Sequence, residues 1–154
     1  MAKEIERKFL VKKLPDNLKQ YPFEKIRQGY IYINPDGSEE RLRSKGGRLY
    51  RTHKSGGFEI REEKEIEISK KEFEADWPKT ANRVIEKTRY YIPFKNIKIE
   101  LDIYIGKLDG LVVVEVEFDS EEQSRSFNPP DWFDMEVTND ANFKNKNLSI
   151  IINN

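Results

Sequence analysis

Charged side chains two residues apart recur along most of this chain, usually with an apolar residue between them. Residues 4–8 read Glu4-Ile5-Glu6-Arg7-Lys8. Arg41-Leu42-Arg43, Glu63-Lys64-Glu65-Ile66-Glu67, Glu100-Leu101-Asp102 and Glu115-Val116-Glu117 repeat the pattern, and Lys87-Thr88-Arg89 keeps the spacing around a threonine. In a β-strand, residues two apart share a face. Many strands of this chain therefore carry one charged face and one largely apolar face. An open sheet hides the apolar face and wets the charged one. A sheet rolled into a barrel can instead turn its charges inward.

The signs are segregated. Lys8, Arg41, Arg43, Lys54, Lys87 and Arg89 are basic, whereas Glu4, Glu6, Glu63, Glu65, Glu100, Asp102, Glu115 and Glu117 are acidic. Like charges side by side on one face repel, and a surface built for solubility would mix them. Arg and Lys clusters suit phosphate oxygens. Carboxylate clusters without Cys or His suit hard cations such as Mg2+ or Mn2+. The strand Leu111–Phe118 is among the most apolar, yet it carries Glu115 and Glu117, and buried carboxylates need cations or a metal. On spacing alone, solvated faces and an inward site both remain open.

Composition narrows the classes. Charged residues make up 36% of the chain and aromatic residues 12%, so it has both a dense charge and material for a core. At 154 residues the expectation is one domain, 1–154. The net charge of zero lacks the long-range field of a nonspecific nucleic-acid binder. No cysteine is present, which excludes disulfides and thiolate metal sites, and a lone histidine, His53, argues against a histidine zinc site. The start Met1-Ala2-Lys3-Glu4 has no apolar signal region, and no apolar run is long enough to span a bilayer. A cytoplasmic protein without membrane or nucleic-acid partners is the expectation.

Strands are predicted over Lys3–Val11, Glu24–Ile33, Glu39–Ser44, Arg48–Lys54, Phe58–Ile68, Asn82–Ile92, Lys98–Tyr104 and Leu111–Phe118. Pro35-Asp36-Gly37, Lys45-Gly46-Gly47, Ser55-Gly56-Gly57 and Asp109-Gly110 supply turns, which make consecutive strands antiparallel. Ser69-Lys70-Lys71-Glu72 and Ser120-Glu121-Glu122-Gln123 are capping boxes for two short helices, stopped by Pro78 and by Pro129-Pro130. Asn142–Asn147 is a candidate third. The fold class is α+β, dominated by antiparallel sheet, and eight strands suit a narrow closed barrel.

Glu4-Ile5-Glu6-Arg7-Lys8 matches the E-x-E-x-K signature of the CYTH superfamily, the triphosphate tunnel metalloenzymes. Gln28-Gly29-Tyr30, Glu40-Arg41-Leu42-Arg43, Lys54-Ser55-Gly56-Gly57, Glu63-Lys64-Glu65, Glu86-Lys87-Thr88-Arg89, Glu100-Leu101-Asp102 and Glu115-Val116-Glu117 resemble its later segments in order. The resemblance implies an eight-stranded antiparallel barrel with a charged interior, flanked by short helices. It implies a small-molecule triphosphate substrate and Mg2+ or Mn2+. Lys8, Arg41, Arg43, Lys54, Lys87 and Arg89 would hold phosphate oxygens. Glu4, Glu6, Glu115 and Glu117 would hold the metal. Glu63, Glu65, Glu100 and Asp102 resemble an opposite wall for a second metal or the water. Lys87 and Lys54 are the candidate catalytic residues, with Lys87 as a proton carrier whose pKa basic neighbours should lower.

The activity implied first is inorganic triphosphatase. A class IV-type adenylate cyclase and a thiamine or nucleoside triphosphatase share the same charges. A polyphosphate-binding module without catalysis is the alternative of another class. A homodimer is compatible with the resemblance. Tyr30 and one of Lys144 and Lys146 have weaker claims on the tunnel. Trp77, Trp132 and Phe133 are expected to pack helices on the barrel, and His53, opposite in parity to Lys54, to point outward.

Overall fold

The computed structural model describes residues 5–56 and 62–151. The strands are β1 (Ile5–Val11), β2 (Phe23–Ile33), β3 (Glu39–Lys45), β4 (Arg48–Lys54), β5 (Glu63–Glu67), β6 (Val84–Phe94), β7 (Ile97–Ile105), β8 (Val112–Phe118) and β9 (Phe133–Glu136). Between them lie the helices α1 (Lys70–Asp76), α2 (Glu121–Ser126) and α3 (Asn145–Leu148). Both predicted N-caps form: Ser69 Oγ accepts from Glu72 N and Ser120 Oγ from Gln123 N, while the Gln123 side chain accepts from Asp119 N one residue earlier. The β3–β4 hairpin turns on Gly46 and Gly47, with φ of 58° and 86°. Two successive positive φ values make the two-residue turn that matches strand twist, and glycine reaches them without a Cβ clash.

All strand contacts are antiparallel, in the order β5-β4-β3-β2-β6-β7-β8-β1-β9. The first eight are the eight predicted strands. The predicted strand Phe58–Ile68 is described only over Glu63–Glu67, since 57–61 lie outside the described residues. The ninth strand, β9, was not predicted and pairs with β1 through Phe9↔Glu136 and Val11↔Phe133. Among the described residues the ladder does not pass from β1 to β5. Side chains from all of the first eight strands nevertheless line one cavity, so the sheet is rolled around a common interior.

Parity then separates two environments. On β8, Val114, Val116 and Phe118 face away from that cavity and are buried, while Glu115 and Glu117 face into it. The outward set joins Phe9, Ile92, Ile99, Leu101, Phe127 and Phe133 in the main core, which α2 and β9 cover. Leu101, Val114 and Val116 are 0% exposed, and each such side chain stabilises the fold by roughly 1.5–3 kcal/mol. A second cluster, Ile85, Tyr104, Leu108, Val113 and Leu148, fills one end of the rolled sheet. Leu148 brings α3 into that end, so the C-terminal segment is tied to the cavity's base.

Trp132 packs on Phe133 at 4.6 Å, and Trp77 stacks on Phe73 of α1 at 5.0 Å, as expected of packing residues. Arg27 caps Trp77 from 4.4 Å. Gly29 on β2 lets the turn holding Thr80 approach, because a Cβ there would stand 2.8 Å from Thr80 Cβ. Arg7, outward on β1, clamps β9 and α2: it bonds both oxygens of Glu136 at 3.0 and 2.7 Å and the Ser124 carbonyl at 2.8 Å. Every residue of β5 is exposed, and this strand is one edge of the sheet. No helix among the described residues is long and apolar enough to cross a membrane.

Candidate active site

The inward faces of the eight strands enclose a cavity of about 500 Å3. Of its lining side chains, eight are basic and seven acidic, with only Tyr30 and Asn145 uncharged. The strand register arranges the charges in rows. Glu39, Lys54 and Glu63 stand opposite one another across β3, β4 and β5, and Arg41, Thr52 and Glu65 form the next row. On the far side, Glu6 faces Glu117, and Lys8 and Glu100 flank Glu115.

Arg41 stands 3.8 Å from Glu63, at the edge of contact distance, and Arg43 Nη2 donates to Glu65 Oε1 at 3.2 Å. The Nε atoms of both arginines are buried without a hydrogen-bond partner, as is Oε2 of Glu39. Buried donors of this kind are costly unless something accepts from them. Burial, reinforced by neighbouring Arg41, pulls the Arg43 pKa below its ordinary value. This wall has donor capacity that its own carboxylates do not use, as an anion site requires.

At the cavity floor lies a triad in which Asp102 and Lys87 are fully buried and Arg89 reaches the lining. Asp102 accepts from Lys87 Nζ at 2.8 Å and from Arg89 Nε and Nη2 at 2.8 and 3.0 Å. Arg89 turns Nη1 to Glu100 at 2.8 Å. Burial pulls Lys87 down from its ordinary pKa, against the raising pull of Asp102; Arg89 adds a smaller lowering. The direction is the one expected from sequence, but desolvation leads and basic clustering follows. Burial pushes Asp102 up, yet Lys87 and Arg89 hold it below the usual carboxylate range. Burial raises Glu100 in spite of Arg89. Lys87 also lies 5.4 Å from the Tyr104 ring centroid, within cation–π range.

Most of the expected residues meet at this cavity: Glu6, Lys8, Arg41, Arg43, Lys54, Glu63, Glu65, Arg89, Glu100, Glu115 and Glu117 all line it. Lys87 and Asp102 sit below rather than in the lining. Glu4 lies outside the described residues. The four acids expected on one wall are divided, with Glu63 and Glu65 on β5, Glu100 and Asp102 on β7, and four strands between. Both oxygens of Asp102 are engaged by cations, which leaves Asp102 the anchor of Lys87 and Arg89.

Tyr30 does reach the cavity, its hydroxyl accepting from Gln28 Nε2 at 2.8 Å. Lys144 and Lys146 line it too. His53 points away and bonds the Tyr32 hydroxyl at 2.8 Å. Glu39, Lys45 and Asn145 were not anticipated. Glu39 and Lys45 extend the Arg41/Arg43 spacing by one step each way, so parity alone could have found them.

A profile of the CYTH domain matches residues 2–140. The chain belongs to the CYTH family. Within reach of this CYTH chain is an inorganic triphosphatase of Nitrosomonas europaea, 46% identical over 97% of this chain and 98% of the relative. An inorganic triphosphatase of Acetivibrio thermocellus is 37% identical, covering 96% of this chain and 94% of the relative. A crystal structure of an inorganic triphosphatase superposes with a TM-score of 0.82 at 43% identity, covering 99% of this chain and 97% of the other.

Proposed function

We propose that this CYTH protein is a divalent-metal-dependent inorganic triphosphatase, converting tripolyphosphate and water to diphosphate and phosphate. The observation that carries the reading is the cavity into which eight strands turn six cations and seven carboxylates, with Lys144 and Lys146 joining from the C-terminal segment. Among the described residues its one aromatic lining residue, Tyr30, is 2% exposed and hydrogen-bonded, and offers a nucleobase or thiazolium ring no stacking face. That favours a substrate made of phosphate alone over adenylate cyclase or thiamine triphosphatase chemistry.

The residues fit a hard cation such as Mg2+ or Mn2+. Glu6 and Glu117 face each other in register on neighbouring strands, with Glu115 beside them, and the donors are all oxygens. Such carboxylates repel unless a cation intervenes. Among the described residues no three acids already stand together as a finished site, which suits an ion that takes one or two carboxylates plus substrate phosphates. Bound there, the ion would neutralise charge on the terminal phosphoryl group and the leaving diphosphate.

The protein's own groups do the remaining work. Arg41, Arg43 and Lys54 orient the phosphate oxygens, their contacts with Glu63, Glu65 and Glu39 giving way to the substrate. Lys8 and Arg89 hold the opposite end. Glu63 and Glu65, released from the arginines, accept hydrogen bonds from water. Lys87, kept below its usual pKa, holds or moves a proton at Nζ beneath the floor. The reading is of one catalytic domain in the cytoplasm, acting on a small molecule without nucleic-acid or membrane partners, and compatible with a homodimer.

Purified protein incubated with Mg2+ or Mn2+ and separately with tripolyphosphate, ATP and thiamine triphosphate tests this. Phosphate and diphosphate from tripolyphosphate are expected in clear excess. Cyclic AMP as the main product from ATP, or binding of tripolyphosphate without turnover, refutes it.

A further inference from the structure

The two carboxylates that β5 sends to the cavity are held differently. Among the described residues Glu63 meets only Arg41, at 3.8 Å and beyond hydrogen-bond reach. Glu65 has two donors on a single oxygen: its Oε1 accepts from Arg43 Nη2 at 3.2 Å and from the Thr52 hydroxyl at 2.8 Å. Its Oε2 takes no hydrogen bond among the described residues.

Thr52 is 1% exposed and stands in register between Arg41 on β3 and Glu65 on β5. It is not part of the cavity lining, so it acts on a ligand only through the side chain it holds. That hold matters because β5 is an edge strand, exposed throughout, with no strand beyond it to fix its side chains. An exposed glutamate samples several rotamers, and ordering it costs free energy.

The difference between the two acids emerges when phosphate oxygens take the Arg41 and Arg43 donors. Glu63 then keeps no partner among the described residues and can swing toward solvent. Glu65 keeps the Thr52 bond, which is charge-assisted and buried away from any competing ligand. The carboxylate therefore stays on the cavity wall, with Oε2 open to a water.

We propose that Thr52 is a positioning residue for the hydrolysis: it fixes Glu65 after Arg43 has gone to phosphate, and the fixed carboxylate orients the attacking water. The inference rests on the triphosphatase reading for its reaction. In that reaction the water oxygen bonds the terminal phosphorus, and the bridging P–O bond breaks with its electron pair on diphosphate. One water proton stays on the new phosphate and the other is released to solvent. Orienting the water lowers the barrier of this step without tightening substrate binding, so the effect of Thr52 belongs in kcat.

The test is T52V, which deletes the hydroxyl and keeps the branched shape that suits a strand. Loss of one hydrogen bond to a charged group should lower kcat for tripolyphosphate with Mg2+ roughly tenfold, with KM within about twofold. T52S keeps the hydroxyl and should stay within about twofold of the wild type. E65A should lose at least as much kcat as T52V, and T52V should cost nothing further in the E65A background. A T52V kcat equal to that of the wild type, a rise in KM at constant kcat, or an undiminished loss in the E65A background overturns the proposal. T52A repeats the cycle if the valine variant melts early. Urea unfolding of wild type, T52V, E65A and T52V/E65A reads the Thr52–Glu65 bond without substrate: T52V should lower the midpoint of the wild type and not that of E65A. Additive midpoints overturn the proposal by themselves. Coupled midpoints in a wild type that hydrolyses nothing sink the triphosphatase reading instead.

Discussion

Replacing Asp102 with asparagine probes the physical basis of the site floor. The side chains of Asp102 and Lys87 are both 2% exposed, and Arg89 completes the triad. Asparagine keeps the volume, so no cavity opens. It removes the charge that two buried cations share, and it cannot accept from both. Its Oδ1 can serve Arg89, whereas its amide nitrogen would face the Lys87 ammonium donor to donor. Breaking a buried ion pair by removing one partner costs about 3–5 kcal/mol, because the remaining charge is buried without compensation. At roughly 2–4 °C per kcal/mol for a chain of this size, the melting temperature should fall by roughly 6–20 °C. Urea unfolding followed by circular dichroism measures the same loss directly. The double variant K87M/D102N should recover part of it, since one orphaned charge is gone. A D102N protein within about 1 kcal/mol of wild type, or a double variant less stable than D102N, would refute the account of the floor as a charge-balanced triad.

The same carboxylate has an acid signature. Because Asp102 titrates below its ordinary value when folded, its contribution is complete above about pH 4 and is lost as pH falls through the folded pKa; urea titrations from pH 5 to pH 2 should show a shallower decline for D102N than for wild type. Arg7→Ala removes the two bonds to Glu136, the bond to Ser124 and the packing over Phe9 and Phe127; a loss of about 1–3 kcal/mol is expected, with amide exchange speeding up in β9 before the rest of the sheet. Ala81 has φ 51° and ψ −125°, a conformation that strains any side chain with a Cβ; Ala81→Gly should raise stability by on the order of 1 kcal/mol, and no gain in the thermal melt would count against that strain.

Spacing made much of this legible. The two-residue period located all eight inward-facing strands, because parity on a strand is geometric and survives any twist. The capping boxes at Ser69 and Ser120 placed both helices for an equally local reason. What stayed hidden depended on packing between distant segments. β9 is four residues long and is held by Arg7 and by pairing to β1, neither of which its own sequence announces. The fate of Asp102 is another case: its spacing from Glu100 suggested a shared role, but depth separates them, Glu100 lining the cavity and Asp102 lying beneath it. Depth along a strand is set by how far the sheet is rolled and plugged, which periodicity does not encode. Glu39 was missed for a simpler reason, since it sits on the same parity as Arg41 but outside the segment that resembles the family.

The edge strand β5 carries a second consequence. A fully exposed edge is a template for pairing with another chain, and alternating charge is a common guard against that. In Glu63-Lys64-Glu65-Ile66-Glu67 the guard on the cavity side is made of the same carboxylates that meet Arg41 and Arg43. Solubility and substrate handling are thus written into the same two side chains. Variants that neutralise Glu63 and Glu65 to retune the site would also strip the edge and leave Ile66 exposed on it, so aggregation has to be watched as closely as activity.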